Sequence, residues 1–316
     1  MLYIFIGILS GFLWGLNDVY TNLLSSHIEM QFVSIIIIFA LTLAFLQDFS
    51  SSLMLFCYHK SKGNIKVNIS LSKPIFKYIF IAAIFAGPCG MVCGIMGITY
   101  AGPVYASVVT SCYPVIAMLL SIILLNLKPT KLRIFGVILT ILSMILISIE
   151  GMALGKVTHI GTGLIFAAIA MFGWGLESVL VSMSSSKSNL SPSWLLCMRQ
   201  TVSATSYLIL LVLFVIFHYS EVIYVMRSLN DSFLIIACVV SALLSYVTYY
   251  NTIRNIGPSV GTVFNSTFIF WAAVISAFLG ISNLGISFWY LAICLVIGIM
   301  FSVYEPKSLK LYLKRA

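Results

Sequence analysis

Residues 134–149 read IFGVILTILSMILISI, a run that contains no charged side chain. A second run of this kind lies between Ile35 and Phe45. A helix that crosses a membrane needs about 20 predominantly apolar residues, and uncharged runs like these are typical of such helices. The chain of 316 residues is 61% hydrophobic and 8% charged, whereas soluble proteins are about 25% charged. The sequence therefore predicts an all-α polytopic membrane protein and excludes a soluble domain, a disordered chain and a coiled coil.

Apolar runs of this kind recur along the whole chain and predict ten transmembrane helices. One linker, 58–73, is long, and the others are short. No segment has the composition of a soluble domain. The helices are expected near 2–23, 31–57, 74–100, 102–126, 131–149, 160–184, 193–218, 232–255, 258–280 and 284–304.

Basic residues cluster in the short segments between the apolar runs, and this distribution predicts the orientation. The net charge is +9, but because its carriers lie in loops we expect no nucleic-acid partner. If both termini are cytoplasmic, the outer segments hold only Lys156 and Arg227. The inner segments then hold Lys60, Lys62, Lys66, Lys73, Lys77, Lys128, Lys131, Arg133, Lys187, Arg254, Lys307, Lys310, Lys314 and Arg315. The sequence predicts a multi-pass protein with cytoplasmic termini.

Two short motifs occur once in each half of the chain. Gly11-Phe12-Leu13-Trp14-Gly15 resembles Met171-Phe172-Gly173-Trp174-Gly175, and Gly102-Pro103 corresponds to Gly257-Pro258. Five helices per half is an odd number, so the two copies must cross the membrane in opposite directions. Inverted repeats of this kind place a substrate site near the midplane and permit two alternative openings.

The repeat divides the chain into three parts. Residues 1–150 form the first five-helix repeat, 151–304 the second, inverted one, and 305–316 a basic cytoplasmic tail. Glycine and proline interrupt the third and fourth helices, at Gly87-Pro88 and again at Pro114. Small residues permit close helix packing and proline permits bending, so this region is expected to move.

Four ionisable residues lie inside the predicted helices, where charge is costly and usually functional or paired. Glu177 is nearest the middle of its helix and shares a face with Trp174. It suits a proton carrier or a counter-ion for a cation; the alternative is a permanent ion pair with Arg199. Asp48 and Arg199 lie at similar depth and are interpreted as a mutual pair or part of an inner gate. Gln200 is a further candidate member of that network.

The fourth of these residues, Asp18, follows Trp14 by one helical turn. It either lines an outer vestibule or lies close enough to the surface to be hydrated.

Aromatic side chains accumulate at mid-membrane depth, away from the interfaces where Trp and Tyr usually collect. Any single one is commonly a packing residue. Together with a carboxylate, however, several π faces suit a quaternary ammonium group, which cannot donate hydrogen bonds and gains about 2 kcal/mol or more per desolvated cation–π contact. An aromatic amino acid is an alternative substrate, because Arg199 can pair with its carboxylate. The candidates are Trp14, Tyr113, Trp174, Tyr246, Tyr249, Tyr250 and Trp271.

Signatures of enzymes and of energy coupling by ATP are missing from the sequence. It contains no phosphate-binding GxxxxGK[ST] loop, no HExxH and no GxSxG. The sequence therefore predicts no catalytic residue, no metal site and no cofactor, and a gradient or the membrane potential has to supply the energy.

The repeat and its paired motifs resemble the drug/metabolite transporter superfamily, to which the EamA proteins belong, over essentially the whole chain. Within that superfamily, four stretches together resemble the LicB-type bacterial choline transporters. They are residues 86–91 (AGPCGM), 174–180 (WGLESVL), 199–200 (RQ) and 245–250 (SYVTYY).

That resemblance implies a proton-coupled choline importer of the bacterial inner membrane with an aromatic choline site. It implies substrate-binding roles for Trp14, Trp174, Tyr246, Tyr249, Tyr250 and Trp271. Tyr113 is a further candidate substrate-binding residue, which we add because of its predicted depth and because its position in the repeat corresponds to that of Phe268. Glu177 matches the intramembrane glutamate of the family, Asp48 and Glu177 are candidates for proton coupling, and Asp48, Arg199 and Gln200 match as a gate or ion pair.

Asp18 departs from the family pattern, in which an uncharged residue is expected there. We expect choline or a related quaternary amine, protons and membrane lipid as partners, and a monomer. Two other functions stay open at this point: an exporter of cationic drugs or amino acids, and a membrane sensor or intramembrane enzyme that transports nothing.

Overall fold

The computed structural model describes residues 2–29, 32–101, 103–151, 160–281 and 284–304. Within those ranges every regular element is helical. Gly102, Lys156 and the predicted basic tail 305–316 lie outside the described residues.

The chain forms fifteen α-helices in its described part. One 3₁₀ turn, Lys73–Ile75, and one π-helical turn, Phe85–Cys89, join neighbouring helices. The α-helices are α1 Leu2–Ser25, α2 Val33–Ser61, α3 Ile65–Ser72, α4 Phe76–Ile84, α5 Gly90–Ala101, α6 Pro103–Thr110, α7 Tyr113–Leu125, α8 Lys131–Gly151, α9 Ile160–Ser186, α10 Pro192–Phe217, α11 Tyr219–Ser228, α12 Ser232–Ile256, α13 Pro258–Ser266, α14 Phe268–Phe278 and α15 Ile286–Val303.

Nine helical segments of the described residues are long and apolar enough to cross a membrane. The fifth predicted helix, expected near 131–149, corresponds to α8, which is not among these nine. The protein is therefore a multi-pass α-helical membrane protein. The nine segments are Leu2–Ser25, Val33–Ser61, Ile65–Ile98, Tyr105–Leu125, Ile160–Ser186, Pro192–Phe217, Ser232–Ile256, Pro258–Phe278 and Ile286–Val303.

Two regions that the sequence predicts as linkers contain helices. The predicted linker 58–73 holds the end of α2 and all of α3, and α11 lies between α10 and α12. α11 is a short amphipathic helix that buries Val222 and Val225 in a cluster with residues of α1 and α2, including Leu24 and Ile38. A search for long apolar runs does not detect a helix that is too short to span lipid. The three-residue spacing of the two buried valines, which is typical of one helix face, is the remaining sequence signal for α11.

The helices pack in matched combinations. α1 packs on α12 and α14, while α9 packs on α5 and α7; α2 pairs with α10, and α8 pairs with α15. Glycines permit the closest of these approaches. Gly7, Gly11 and Gly15 on one face of α1 lie directly against side chains or backbone of Phe264, Thr267 and Trp271. A Cβ atom at any of the three would overlap these neighbours.

Three helix interruptions lie deep in the bundle. At the first, Gly87 leaves the helical conformation (φ −77°, ψ −109°) inside the π-helical turn, next to Pro88. The other two separate α6 from α7 at Cys112 and α13 from α14 at Thr267. Cys112 and Thr267 each lie nine positions after the proline that opens their helix pair. The fourth and ninth predicted helices are therefore broken at equivalent places.

Candidate functional site

A cavity of about 490 Å³ lies inside the helix bundle, and we call it the central cavity. Its walls come from α1, α2, α5, α6, α9, α10, α12 and α14, and from the π-helical turn before α5. It extends from the middle of the bundle toward Ser25 and Ile36. Its lining is Trp14, Asn17, Asp18, Thr21, Ser25, Ile36, Phe39, Ala40, Leu43, Ala44, Gln47, Asp48, Ala86, Met91, Gly94, Ile95, Ile98, Ala106, Ser107, Thr110, Trp174, Tyr207, Tyr246 and Phe268.

Aromatic rings form the deep part of this cavity. The rings of Trp14 and Tyr246 meet edge to face, with centroids 5.2 Å apart. On another wall, Trp174 donates a hydrogen bond from Nε1 to the backbone oxygen of Ala86, at 3.3 Å. A Cβ atom at Gly90 would lie 3.0 Å from that indole nitrogen, so the glycine makes room for the ring. Helices α1 and α9 thus each hold one tryptophan in a defined orientation in the cavity wall.

A buried ionic cluster lies beside these rings. Arg199 on α10 donates from Nη1 to Oδ2 of Asp48 at 2.8 Å and from Nε to Oε1 of Glu177 at 2.7 Å. Tyr250 donates its hydroxyl to the same Glu177 oxygen at 2.9 Å. The four side chains come from α2, α9, α10 and α12, so the cluster ties four helices together. With both carboxylates ionised, its net charge is one negative.

Tyr246 connects the ionic cluster to the cavity. The central carbon of the Arg199 guanidinium lies 5.1 Å from the centre of the Tyr246 ring. The ring also lines the central cavity, as does Asp48, whereas Arg199 and Glu177 do not. A cation that enters the cavity therefore meets two groups that Arg199 already contacts, the Tyr246 ring and the Asp48 carboxylate.

The electrostatics of the cavity suit a positively charged ligand. Asp18 and Asp48 are both in its lining, and no lysine, arginine or histidine among the described residues lines it. Because the walls are largely apolar, a cation inside would be poorly hydrated, and π faces and carboxylates would have to replace the lost water.

The structure places the sequence-predicted residues in three locations. Trp14, Asp48, Trp174 and Tyr246 line the central cavity, together with Asp18. The other predicted residues do not line it. Buried beside the cavity lie Tyr113, Glu177, Arg199, Gln200, Tyr249 and Tyr250.

Among the predicted residues outside the cavity, Tyr113 packs behind the cavity wall. Tyr113 donates its hydroxyl toward the backbone oxygen of Thr262 and Oδ1 of Asn265, at 3.1 and 3.0 Å, and its ring lies 6.2 Å from that of Trp174. It therefore supports a cavity residue from behind.

The remaining predicted tryptophan lies on the other side of α1. The ring of Trp271 contacts Phe12 and Phe270, with centroid separations of 5.4 and 5.1 Å, and packs on Gly15.

Several lining residues are not among the predicted site residues. Tyr207 follows Arg199 by eight positions, which places both on one face of α10, so helical periodicity could have indicated it. Asn17 and Gln47 form a polar contact across the cavity wall, from Gln47 Nε2 to Asn17 Oδ1 at 3.5 Å, and Asn17 also donates to the backbone oxygen of Cys238 at 2.8 Å. Their proximity depends on how α1, α2 and α12 pack, which sequence spacing does not reveal.

Comparison with known proteins adds the family context. The chain matches the EamA-like transporter family over residues 1–149 and 161–304. It is 29% identical over 268 residues to protein LicB of Haemophilus influenzae, which covers 84% of this chain and 85% of that protein. It also resembles a solved crystal structure with a TM-score of 0.70, over 95% of both chains. At 13% identity, that likeness shows the fold alone.

Proposed function

The chain belongs to the EamA-like transporter family, and from this premise we propose that it is a secondary active transporter that imports choline, or a closely related quaternary amine. The membrane is the bacterial inner membrane, with both termini in the cytoplasm, and transport proceeds by alternating access around the central cavity.

One observation carries the choice of a quaternary amine: the cavity combines aromatic rings with carboxylates and has no cationic side chain among its described lining residues. A trimethylammonium group cannot donate hydrogen bonds, so Trp14, Trp174 and Tyr246 are the appropriate partners for its methyl groups. Asp48 balances its charge. The cavity volume lies within the range of about 300–1,000 Å³ that is usual for small-molecule sites.

Arg199 is assigned the role of an internal cation. It pairs with Asp48 and contacts the Tyr246 ring, two groups of the cavity wall that an entering ammonium group would also use, and it pairs with Glu177 beside the cavity. Substrate binding therefore competes with some of the Arg199 contacts, and this weakens the link that Arg199 makes between α2, α9 and α10. Such a link suits a gate that responds to an occupied site.

The matched packing of the helices supports an inverted repeat of residues 1–150 and 151–304. Superposing one half on the other under that repeat would place the packed pair α1–α12 on the packed pair α9–α5. It would place the pair α2–α10 on itself, and the pair α8–α15 on itself. The helices of each of these four pairs do contact each other. The equivalent interruptions at Cys112 and Thr267 agree with it. Rocking of one half against the other would close the present opening and create one at the opposite end.

The energetics favour inward movement of a fixed cation. An inside-negative potential contributes about 2.3 kcal/mol per 100 mV for one elementary charge. Protons are the proposed coupling ion, with Asp48 and Glu177 as their acceptors. If choline and a proton compete for one carboxylate, the result is exchange; symport requires that the cavity hold choline while one carboxylate is protonated.

The alternative is export of larger cationic drugs by the same fold. The apolar side chains of Met91, Ile95 and Ile98 extend the lining beyond the aromatic region, and this gives space for a bulkier apolar cation.

Accumulation of radiolabelled choline in cells that express the chain tests the proposal directly. Expressing cells should accumulate label above the empty-vector level, and Trp174→Ala should remove most of the difference. Equal label in expressing and control cells, with the protein present in the membrane, would contradict import.

A further inference from the structure

A second cavity of about 390 Å³, which we call the basic cavity, lies between the ends of α7, α9, α12 and α13. Its described lining includes Lys128, Arg133 and Arg254 and no aspartate or glutamate, and it shares no lining residue with the central cavity. We propose that this basic cavity binds the phosphate group of an anionic ligand.

The N-terminus of α13 forms one wall. The helix begins at Pro258, and Pro258, Ser259 and Val260 all line the cavity. The first backbone N–H groups of a helix have no partner within the helix, and the helix dipole adds partial positive charge at the same place. Phosphate groups bind readily at such termini.

Ser259 gives an independent indication of a missing acceptor. The residue is only 8% exposed, and its Oγ atom is buried without a hydrogen-bond partner among the described residues. A buried hydroxyl without a partner is unfavourable, because it has lost its hydrogen bonds to water. A phosphate oxygen in the basic cavity would accept a hydrogen bond from this hydroxyl.

Two cations extend the positive surface on the other walls. Arg254 is fixed by a hydrogen bond from Nη1 to the backbone oxygen of Leu190, and a guanidinium has five N–H donors in all, so one such bond leaves others for a phosphate. Lys128, on the link from α7 to α8, is exposed and supplies an ammonium group. Charge-assisted hydrogen bonds from such groups are stronger than neutral ones.

The ligand is either an anionic phospholipid or a small soluble molecule, and in both cases the basic cavity would bind its phosphate group. Ile122 and Leu125 line the same cavity, and an acyl chain could lie along them. This site is separate from the proposed transport function, since none of its residues has a role there.

The test is equilibrium binding to the purified full-length protein in a zwitterionic detergent, with two probes: dihexanoyl phosphatidylglycerol and inorganic phosphate. Both are titrated against the wild type, Lys128→Gln and Ser259→Ala. Lys60→Gln is the matched control, because Lys60 is an exposed lysine that does not line the basic cavity. Thermal unfolding of each variant checks that it is folded.

We expect saturable binding, with a Kd that rises about tenfold in Lys128→Gln and about fivefold in Ser259→Ala, and that stays unchanged in Lys60→Gln. Binding of phosphatidylglycerol alone identifies a lipid headgroup, and binding of phosphate, with or without the lipid, identifies a soluble anion; either supports the site. No saturable binding of either probe would overturn the proposal. So would equal Kd values in the wild type, Lys128→Gln and Ser259→Ala.

Discussion

Nε of Arg199 lies 2.7 Å from Oε1 of Glu177, and both side chains are buried. Glu177 accepts a second hydrogen bond from Tyr250 on the same oxygen atom. In this conformation Glu177 is therefore held by protein groups, and Asp48 is the carboxylate of the cluster that reaches the central cavity. This difference separates the two acids, which the family resemblance gives together as candidates for proton coupling.

The ionic cluster predicts a large effect of Arg199→Gln on stability. The substitution leaves Asp48 and Glu177 as buried carboxylates without a cation, and removal of one partner from a buried pair costs about 3–5 kcal/mol. Thermal or chemical unfolding in detergent should show this loss. The double variant Arg199→Gln with Glu177→Gln should recover part of it, because one uncompensated charge disappears.

Arg227→Gln is the matched control, since Arg227 is exposed on α11. An Arg199→Gln protein as stable as Arg227→Gln would show that the cluster does not hold the helices together.

Trp14 should bind substrate through its π face. Trp14→Leu should weaken choline binding about 10- to 30-fold, which corresponds to about 2 kcal/mol for a desolvated cation–π contact, whereas Trp14→Phe should weaken it much less. Trp289→Leu is the control, because that indole is 52% exposed and does not line the cavity. Isothermal titration gives the Kd values. Equal affinities of Trp14→Leu and Trp289→Leu would remove Trp14 from the site.

Asp18 should attract the cation before it reaches the aromatic rings. Asp18→Asn keeps the shape of the side chain and removes its charge, so the KM for choline should rise about three- to tenfold in dilute buffer. The effect should shrink at about 1 M salt, where the screening length falls to about 3 Å. Uptake at two salt concentrations, with Glu221→Gln as control, measures this. A change in KM that is independent of salt would argue against charge attraction.

The close approach of α1 to α13 and α14 predicts opposite results for two glycines. In Gly11→Ala the new Cβ would overlap Thr267 Oγ1 and the Phe264 carbonyl, and overpacking of this kind costs about 1–3 kcal/mol. Gly161→Ala in α9 meets nothing within 4 Å and should be neutral or gain up to about 1 kcal/mol, since alanine favours helix more than glycine does. Unfolding temperatures that fall equally in both would contradict the packing.

Hydropathy predicts where helices lie because a membrane requires long apolar runs with their backbone hydrogen bonds satisfied internally. The expected ranges 160–184 and 232–255 match Ile160–Ser186 and Ser232–Ile256 closely. The interruption at Thr267 and the amphipathic helix α11 are harder to predict, because packing against other helices determines both.

The site residues, like the helices, are predictable from the sequence only where packing does not decide the outcome. Their types and depths indicate an aromatic and acidic centre, and four of the predicted residues do line the cavity. Which way each helix faces is a different question. Trp271 has suitable depth but packs against Phe12, and Glu177 has the expected position but is enclosed by Arg199 and Tyr250. Sequence spacing places residues on one face of a helix; it does not say what that face contacts.

Choline flux into proteoliposomes, at several imposed membrane potentials and pH gradients, tests the central claim most directly. We predict saturable uptake of choline that increases with an inside-negative potential, responds to the pH gradient, and is abolished by Trp174→Ala in a folded protein. Ethanolamine, which lacks the methyl groups, should compete poorly. Uptake no faster than in protein-free liposomes at every potential would contradict the assignment of this cavity to a quaternary ammonium substrate.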